Sequence, residues 1–417
     1  MVVGCASFVA LFLVFVPGKR GFFDVGVYHG AVNLWLRDGG GLYDYLRPPT
    51  HYGFTYPPFA ALVMSPMALL GWHPTIVVSF MLSVFAGALL LRWLVGPMAE
   101  RHGWERWYAL ALAACLFAVF GPLRDTLSYG QVNILLLALV FADARLLTTG
   151  RTRWAGIGIG LATAIKLTPA IFIGYLWLTG RWRAARLATG VALGATVLAA
   201  AVAPTESRVF WTEAIWNTDR IGSLSYISNQ SLRGVLARVD PSAGTGVWLL
   251  LVVAVLVIWA IRVRRAMAAG DEVAGFALTA VAGCLVSPVT WVHHLVWVIP
   301  ALLLTFDCAL REAPGSPRRR RLLTASWGLY VLLGSSMVWI WWESHTWWSF
   351  IGGNAFVWAC LGLLAAMPIR QPDPLAANLG PRIARPRRSP HAPTPHTPRT
   401  PRVDHEPSFA FDGVSPN

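Results

Sequence analysis

The residues with the most chemical potential are few and far apart in the chain. Asp24 stands near the start of a polar stretch, residues 21–59, that follows an apolar N-terminal run. A carboxylate there can act as a general base toward a hydroxyl group. It can equally cap a helix by accepting from the amides near Gly26 and Val27. The two roles are compatible, because a cap pins the carboxylate. Asp44, in LYDYL, is the rival acid, although an Asx-turn is the ordinary use of Asp in such a loop. Lys166 is one of two lysines, the other being Lys19, and it lies inside an apolar run. An intramembrane cation is a functional-site hypothesis by default, with a lipid phosphate as its natural anion. Snorkelling or an internal ion pair is the plainer alternative. His293 and His294 close another apolar run. They suit phosphate binding or donation to a leaving group, or simple packing on interfacial aromatics. Arg124, Asp125, Gln131, Asn229, Gln230 and Arg233 fall in polar loops, where each can hydrogen-bond a sugar hydroxyl or a phosphate. Tyr56, in FTYPPF, offers a ring to a sugar or to the following prolines.

Membrane helices must position these groups. The 417 residues are 56% hydrophobic and only 13% charged, against about 25% charged in soluble domains. Repeated apolar runs approach the ~17–25 residues that cross a bilayer. The fold class is therefore an all-α polytopic membrane protein; a β-barrel would alternate rather than run continuously. Many of the 21 Trp sit at segment ends, such as Trp341, Trp342, Trp347 and Trp348, which suits the headgroup level. The net charge of +14 reads as the positive-inside rule rather than as a nucleic-acid surface. The five cysteines, at 5, 115, 284, 308 and 360, have no metal-ligand spacing and read as packing residues. No HExxH, Walker loop, GxGxxG or GxSxG occurs. A transferase so built takes its activated group from a lipid carrier, not a nucleotide.

Arginine clusters at 151–153, 181–186, 262–265 and 318–321 all fall on one side of a layout with about 12 membrane segments. The polar stretches LRDTLSYGQ, SNQS and WVHH and the Asp24 region fall on the other. Lys19 and Arg20 go against that rule. Val2–Val16 is expected to be a first membrane helix. Val25–Arg37 predicts an amphipathic interfacial helix with His29, Asn33 and Arg37 on its polar stripe. Pro57–Gly71 is too short to span and predicts a re-entrant segment. Ala155–Leu178 has arginines at both ends, so two short helices with Lys166 near the turn fit better than one Pro-kinked span. The expected organisation is a membrane domain over 1–367, with outer loops at 18–74 and 205–246. A Pro/Arg-rich tail over 368–417 is expected to be disordered and cytoplasmic.

Several motifs, in order, carry a family resemblance: DVGVYHGA at 24–31, LYDY at 42–45, FTYPPFAALV at 54–63, YGQVNILLLAL at 129–139, AIKLTP at 164–169, SNQSLRG at 228–234 and SPVTWVHH at 287–294. The chain resembles the polyprenyl-phosphate-mannose-dependent α-(1→2)-mannosyltransferases of bacteria, glycosyltransferase family 87 of the GT-C superfamily. The resemblance implies a GT-C fold at the plasma membrane with an extracytoplasmic active site. It implies inverting transfer of mannose from polyprenyl-phosphate mannose to a 2-hydroxyl of a mannose-containing glycolipid or glycan. It makes Asp24 the general base. Lys166, His293, His294 and Arg124 would meet the donor phosphate, and Tyr56, Gln131, Asn229, Gln230 and Arg233 the sugars. No cofactor and no metal are expected, since these cations can balance the phosphate charge. Another polyprenyl-phosphate sugar, such as arabinose, is the alternative donor. A lipid-sugar flippase is the alternative class, although only Lys166 suits the midplane site that a transporter needs.

Overall fold

Long apolar runs fold as helices because a bilayer leaves few other ways to satisfy backbone polar groups. A computed structural model describes residues 2–15, 20–217, 220–240, 242, 244–342, 344 and 346–371. The first half of the chain holds α1 (Val2–Phe15), α2 (Phe23–Leu36), α3 (Pro58–Met64), α4 (Trp72–Leu94), α5 (Gly96–Arg101), α6 (Arg106–Ala118), α7 (Gly121–Tyr129), α8 (Asn133–Thr148), α9 (Ile157–Ile165), α10 (Ala170–Leu178) and α11 (Trp182–Val202). The second half holds α12 (Pro204–Val209), α13 (Leu232–Val239), α14 (Thr245–Ala268), α15 (Glu272–Val286), α16 (Ile299–Arg311), α17 (Pro317–Gly334), α18 (Trp347–Gly353) and α19 (Ala355–Ala366). A 3-10 turn over Val292–Val298 leads into α16. Among the described residues the only β-pairings are two isolated bridges, Leu46–Gly53 and Asn229–Trp291. Most of the tail expected over 368–417 lies outside the described residues.

Four stretches, 72–101, 182–202, 245–268 and 292–311, are long and apolar enough to cross a membrane. Two bent pairs, α6–α7 at 73° and α18–α19 at 59°, raise the number to six if each is one span. Helices α4, α11 and α14 expose apolar side chains such as Phe85, Val197 and Leu250, as lipid-facing helices do. By contrast α15 is buried along most of its length, with Phe276, Leu278, Val281 and Leu285 inaccessible. It packs with α8, α10 and the 292–298 turn into the main core, through Leu137, Phe141, Phe172 and Val296.

The two ends of α15 and α16 differ in kind. One end is ionic. Asp307 meets Arg101 at 2.8 Å and Arg311 at 3.3 Å; Arg370 clasps Asp271, and Arg181 pairs with Glu272. The other end runs into Ser287–His294, where the candidate site lies.

Local structure departs from the sequence expectations in four places. LRDTLSYGQ is mostly helix rather than loop, because Pro122 opens α7 and Gly130, at φ 71°, closes it; both are standard helix punctuation. Asp24 lies inside α2, not before it. The capping position is Phe22, at φ 49°, with no side-chain cap. Its amide donates to the Ser128 carbonyl at 2.9 Å, which holds a conformation that is unfavourable for a bulky residue. The polar stripe of α2 is only partly open: Arg37 is exposed, but His29 Nε2 bonds the Leu70 carbonyl at 3.1 Å and Asn33 donates to the His29 carbonyl at 2.7 Å, while Val25, Tyr28 and Val32 on the apolar face are buried. The 205–246 loop contains α12, a π-helical turn at Phe210–Ala214, and α13.

Candidate active site

The site forms where α2, the 52–57 segment, the α7–α8 turn, the α9–α10 break and the 287–294 segment converge on one cavity of about 640 Å³. That size is typical of a small-molecule site. Asp24, Tyr28, Tyr56, Gln131, Lys166, His293 and His294 line it. The α9–α10 run breaks because Lys166 is extended (φ −148°, ψ 131°), and Pro169 restarts the helix. An uninterrupted helix would commit the Lys166 backbone to the next turn. The break aims the ammonium into the cavity instead.

One directed hydrogen-bond chain orders the polar groups. Lys166 Nζ donates to Asn133 Oδ1 at 3.1 Å and to Tyr56 OH at 3.4 Å. Asn133 Nδ2 and Tyr56 OH both donate to Gln131 Oε1, at 3.1 and 3.2 Å. Tyr28 OH lies 3.0 Å from Tyr56 OH, whose own proton is committed to Gln131. With its oxygen twice engaged, Gln131 presents its NH₂ group to Asp24. Asp24 Oδ2 is buried and makes no hydrogen bond among the described residues. Burial pushes the Asp24 carboxyl up to about 6, against the opposing pull of Gln131, Lys166 and Arg47. A carboxylate so poised is a weak acid near neutral pH and an effective proton acceptor.

His294 has one defined tautomer. The Trp291 amide donates to Nδ1 at 3.2 Å, so Nε2 carries the proton. That nitrogen lies 3.4 Å from Lys166 Nζ. The ammonium and the imidazole thus stand side by side at the cavity, with the Val289 backbone a further partner of the imidazole, an arrangement able to present two donors to a phosphate oxygen. His293 packs beside it, with rings at 4.7 Å, and against Tyr129 at 4.9 Å. The His293 Nε2 is buried without a partner among the described residues. Helix α7 fixes this residue through Thr126 Oγ1, which donates to the His293 carbonyl at 2.8 Å.

With the geometry in hand, comparison with known proteins decides the family. The sequence model described as Glycosyltransferase family 87 matches residues 54–288. The chain belongs to that family. It is thus a glycosyltransferase. A Mycolicibacterium smegmatis relative, a polyprenol-phosphate-mannose-dependent alpha-(1-2)-phosphatidylinositol pentamannoside mannosyltransferase, is 33% identical over 76% of this chain and 77% of its own. A Mycobacterium tuberculosis relative of the same description is 31% identical over 84% and 81%. A Mycobacterium tuberculosis phosphatidylinositol mannoside mannosyltransferase of the same donor dependence is 28% identical over 89% of each chain. No solved structure matches. The region matched to family 87 holds Tyr56, Gln131 and Lys166 but stops short of both Asp24 and the histidine pair. The fold brings all of them to one cavity.

Four expected site residues of this glycosyltransferase do not line the cavity. Arg124 lies over the Phe12 ring, 5.1 Å from its centroid. Arg233, near the start of α13, is also not among the lining residues. Asn229 and Gln230 are fully buried. Asn229 donates to the Leu224 and Pro288 carbonyls and accepts from the Thr290 amide at 2.9 Å. Gln230 donates to the Ile227 and Gly353 carbonyls at 2.7 and 2.8 Å. Asn229 thus clamps the SNQS segment to the segment that carries the histidines, and Gln230 ties the same SNQS segment to Gly353 in α18. Asn229→Ala should strand the Thr290 amide and the Leu224 carbonyl, the Pro288 carbonyl keeping its bond from Ser231 Oγ, at about 1–3 kcal/mol for each group left unsatisfied. Thermal unfolding in detergent checks this, and an unchanged midpoint refutes the clamp.

Tyr28, Asn133 and Arg220 also shape the cavity or its network, though sequence reasoning passed over them. Tyr28 had a signal, since it follows Asp24 by four residues on one helix face. Asn133 follows Gln131 by two at the head of an apolar run. Arg220 had no signal within its loop. Gly26 also has a reason that only the structure supplies: a Cβ there would overlap the Arg47 guanidinium. Arg47 rests over the Phe23 and Trp72 rings at 4.9 and 5.7 Å.

Proposed function

We propose that this enzyme transfers mannose, with inversion, from polyprenyl-phosphate mannose to the 2-hydroxyl of a phosphatidylinositol mannoside. The observation that carries the reading is one cavity holding a single partly desolvated carboxylate together with the adjacent Lys166 ammonium and His294 imidazole. Asp24 takes the proton of the acceptor hydroxyl. The oxygen attacks the anomeric carbon as its bond to phosphate breaks, and the electron pair leaves on the phosphate oxygen. A phosphodiester with one negative charge becomes a monoester that gains a second. Lys166 and His294 Nε2–H meet that developing charge, and His293 supplies a further nitrogen beside them. Preorganised donors aimed at developing charge are commonly the largest catalytic contribution. The donor and acceptor classes are those in the names of the relatives. A metal and other cofactors have no role in this scheme.

The finer topology is part of the proposal: a GT-C arrangement of about 12 membrane segments, lying in the plasma membrane. Arg181, Arg311 and Arg370 gather at the ionic ends of α15 and α16, away from the site. The positive-inside rule then puts the cavity on the extracytoplasmic face and the C-terminus in the cytoplasm. Purified enzyme in liposomes, given labelled polyprenyl-phosphate mannose and a phosphatidylinositol mannoside, tests the activity. No transfer would overturn it.

The pH dependence follows from Asp24. The base works deprotonated, and its carboxyl sits at about 6. The value of kcat/KM should therefore rise with pH through about 6 and level off above it. A profile flat down to the ordinary carboxylate range would contradict this role.

A further inference from the structure

We propose that Arg220 binds the phosphodiester of the acceptor glycolipid and so favours acceptors whose phosphate lies few sugars from the reacting hydroxyl. The inference rests on the mannosyl-transfer reading above. Arg220 lines the same cavity as Asp24 and Lys166. Its guanidinium donates to the Tyr43 carbonyl. Its Nε is buried with no acceptor among the described residues. Among those residues Asp44 attracts it from beyond contact distance, but no carboxylate lies within ion-pair distance of it. Arg20 differs, being paired with Asp125 at 3.4 Å. Gly53 leaves the room that Arg220 uses, since a Cβ there would stand 2.6 Å from Nη2. The adjacent Tyr52 ring packs on Phe23, next to Asp24 in α2, at 5.8 Å.

A half-buried guanidinium with an unpaired donor calls for an oxyanion of matching fork geometry. The donor phosphate already has a place at Lys166 and His294, and Arg220 shares none of their hydrogen-bond partners. A second anion in the same cavity must then come from the acceptor. A phosphatidylinositol mannoside has one such group, beside the inositol. Since the cavity holds both Asp24 and Arg220, only a short headgroup bridges them. Longer glycans would put the phosphate out of reach.

The test compares two acceptors with wild type and Arg220→Gln: a phosphatidylinositol mannoside with a short headgroup, and a neutral alkyl mannoside. The variant should raise KM ~10–100-fold for the anionic acceptor, as expected for losing a charge-assisted hydrogen bond. KM for the neutral acceptor and for the lipid-phosphate donor should stay within about 2-fold, and Arg220→Lys should recover part of the loss, its charge but not its fork being retained. Equal losses on both acceptors, or none, would overturn the proposal. Wild-type transfer to neither acceptor would overturn the underlying activity as well. Should the variant not fold, glycerophosphoinositol serves on the wild type. It should inhibit competitively with the anionic acceptor and not with the donor; absence of such inhibition overturns the proposal.

Discussion

Asp24→Asn should lower transfer by roughly 10²–10⁴-fold, the usual worth of a positioned general base. Asparagine keeps the size and the hydrogen bond from Gln131 but has no basic oxygen. The loss should appear in kcat more than in the KM of either substrate. Stability separates this loss from misfolding. The folded-state carboxyl is raised to about 6 from an ordinary value near 3.8. The fold therefore binds that proton more tightly than the unfolded chain does. Its contribution favours folding at low pH and is lost as pH rises through about 6. At pH above about 7 the charge is a cost, so Asp24→Asn should melt no lower than wild type. Activity within ~3-fold of wild type would remove Asp24 from the chemistry.

Lys166→Met should lower kcat by roughly 10²–10³-fold, the scale for removing one donor to developing charge. Methionine has comparable length and packs over the Tyr56 ring, where the ammonium now lies 5.1 Å from the centroid. Arginine should not restore activity, because its planar fork is larger and cannot reproduce a compact ammonium shared between Asn133 and Tyr56. The decisive measurement is single-turnover transfer at saturating donor. If Lys166→Met changes donor KM alone and leaves kcat intact, the cation only binds donor and has no part in stabilising the leaving group.

Much of this was legible in the chain before its structure, and the boundary has physical causes. Asp24, Lys166 and His294 announced themselves by type, since charge or imidazole beside apolar runs is expensive and rare. The break at Lys166 was legible from Pro169 and from arginines on both flanks. What sequence could not separate was a polar side chain facing a cavity from one facing a backbone. Asn229 and Gln230 look as suited to sugar as Gln131 does. Their burial and their carbonyl partners are tertiary facts, fixed by segments about 60 and 120 residues further on. The α7 helix was missed because its polar, short sequence hid the ordinary Pro and Gly signals at its ends. The Gln131 orientation was beyond reach as well, because it depends on which groups donate to its oxygen.

The Asn229 and Gln230 clamp bears on biogenesis. A polytopic chain enters its membrane from the N-terminus onward, so Asp24, Tyr56 and Lys166 are in place long before the histidines are made. Asn229 waits for Thr290, and Gln230 waits for Gly353 in α18. Among the described residues the last helices contribute none that lines the cavity, yet α18 holds Gln230, whose neighbour Asn229 anchors the segment on which His293 and His294 are carried. A nascent chain released before α18 would contain every group proposed for the chemistry and still lack part of this anchor. The anchor of the histidine segment is thus completed only when the last helices have been made.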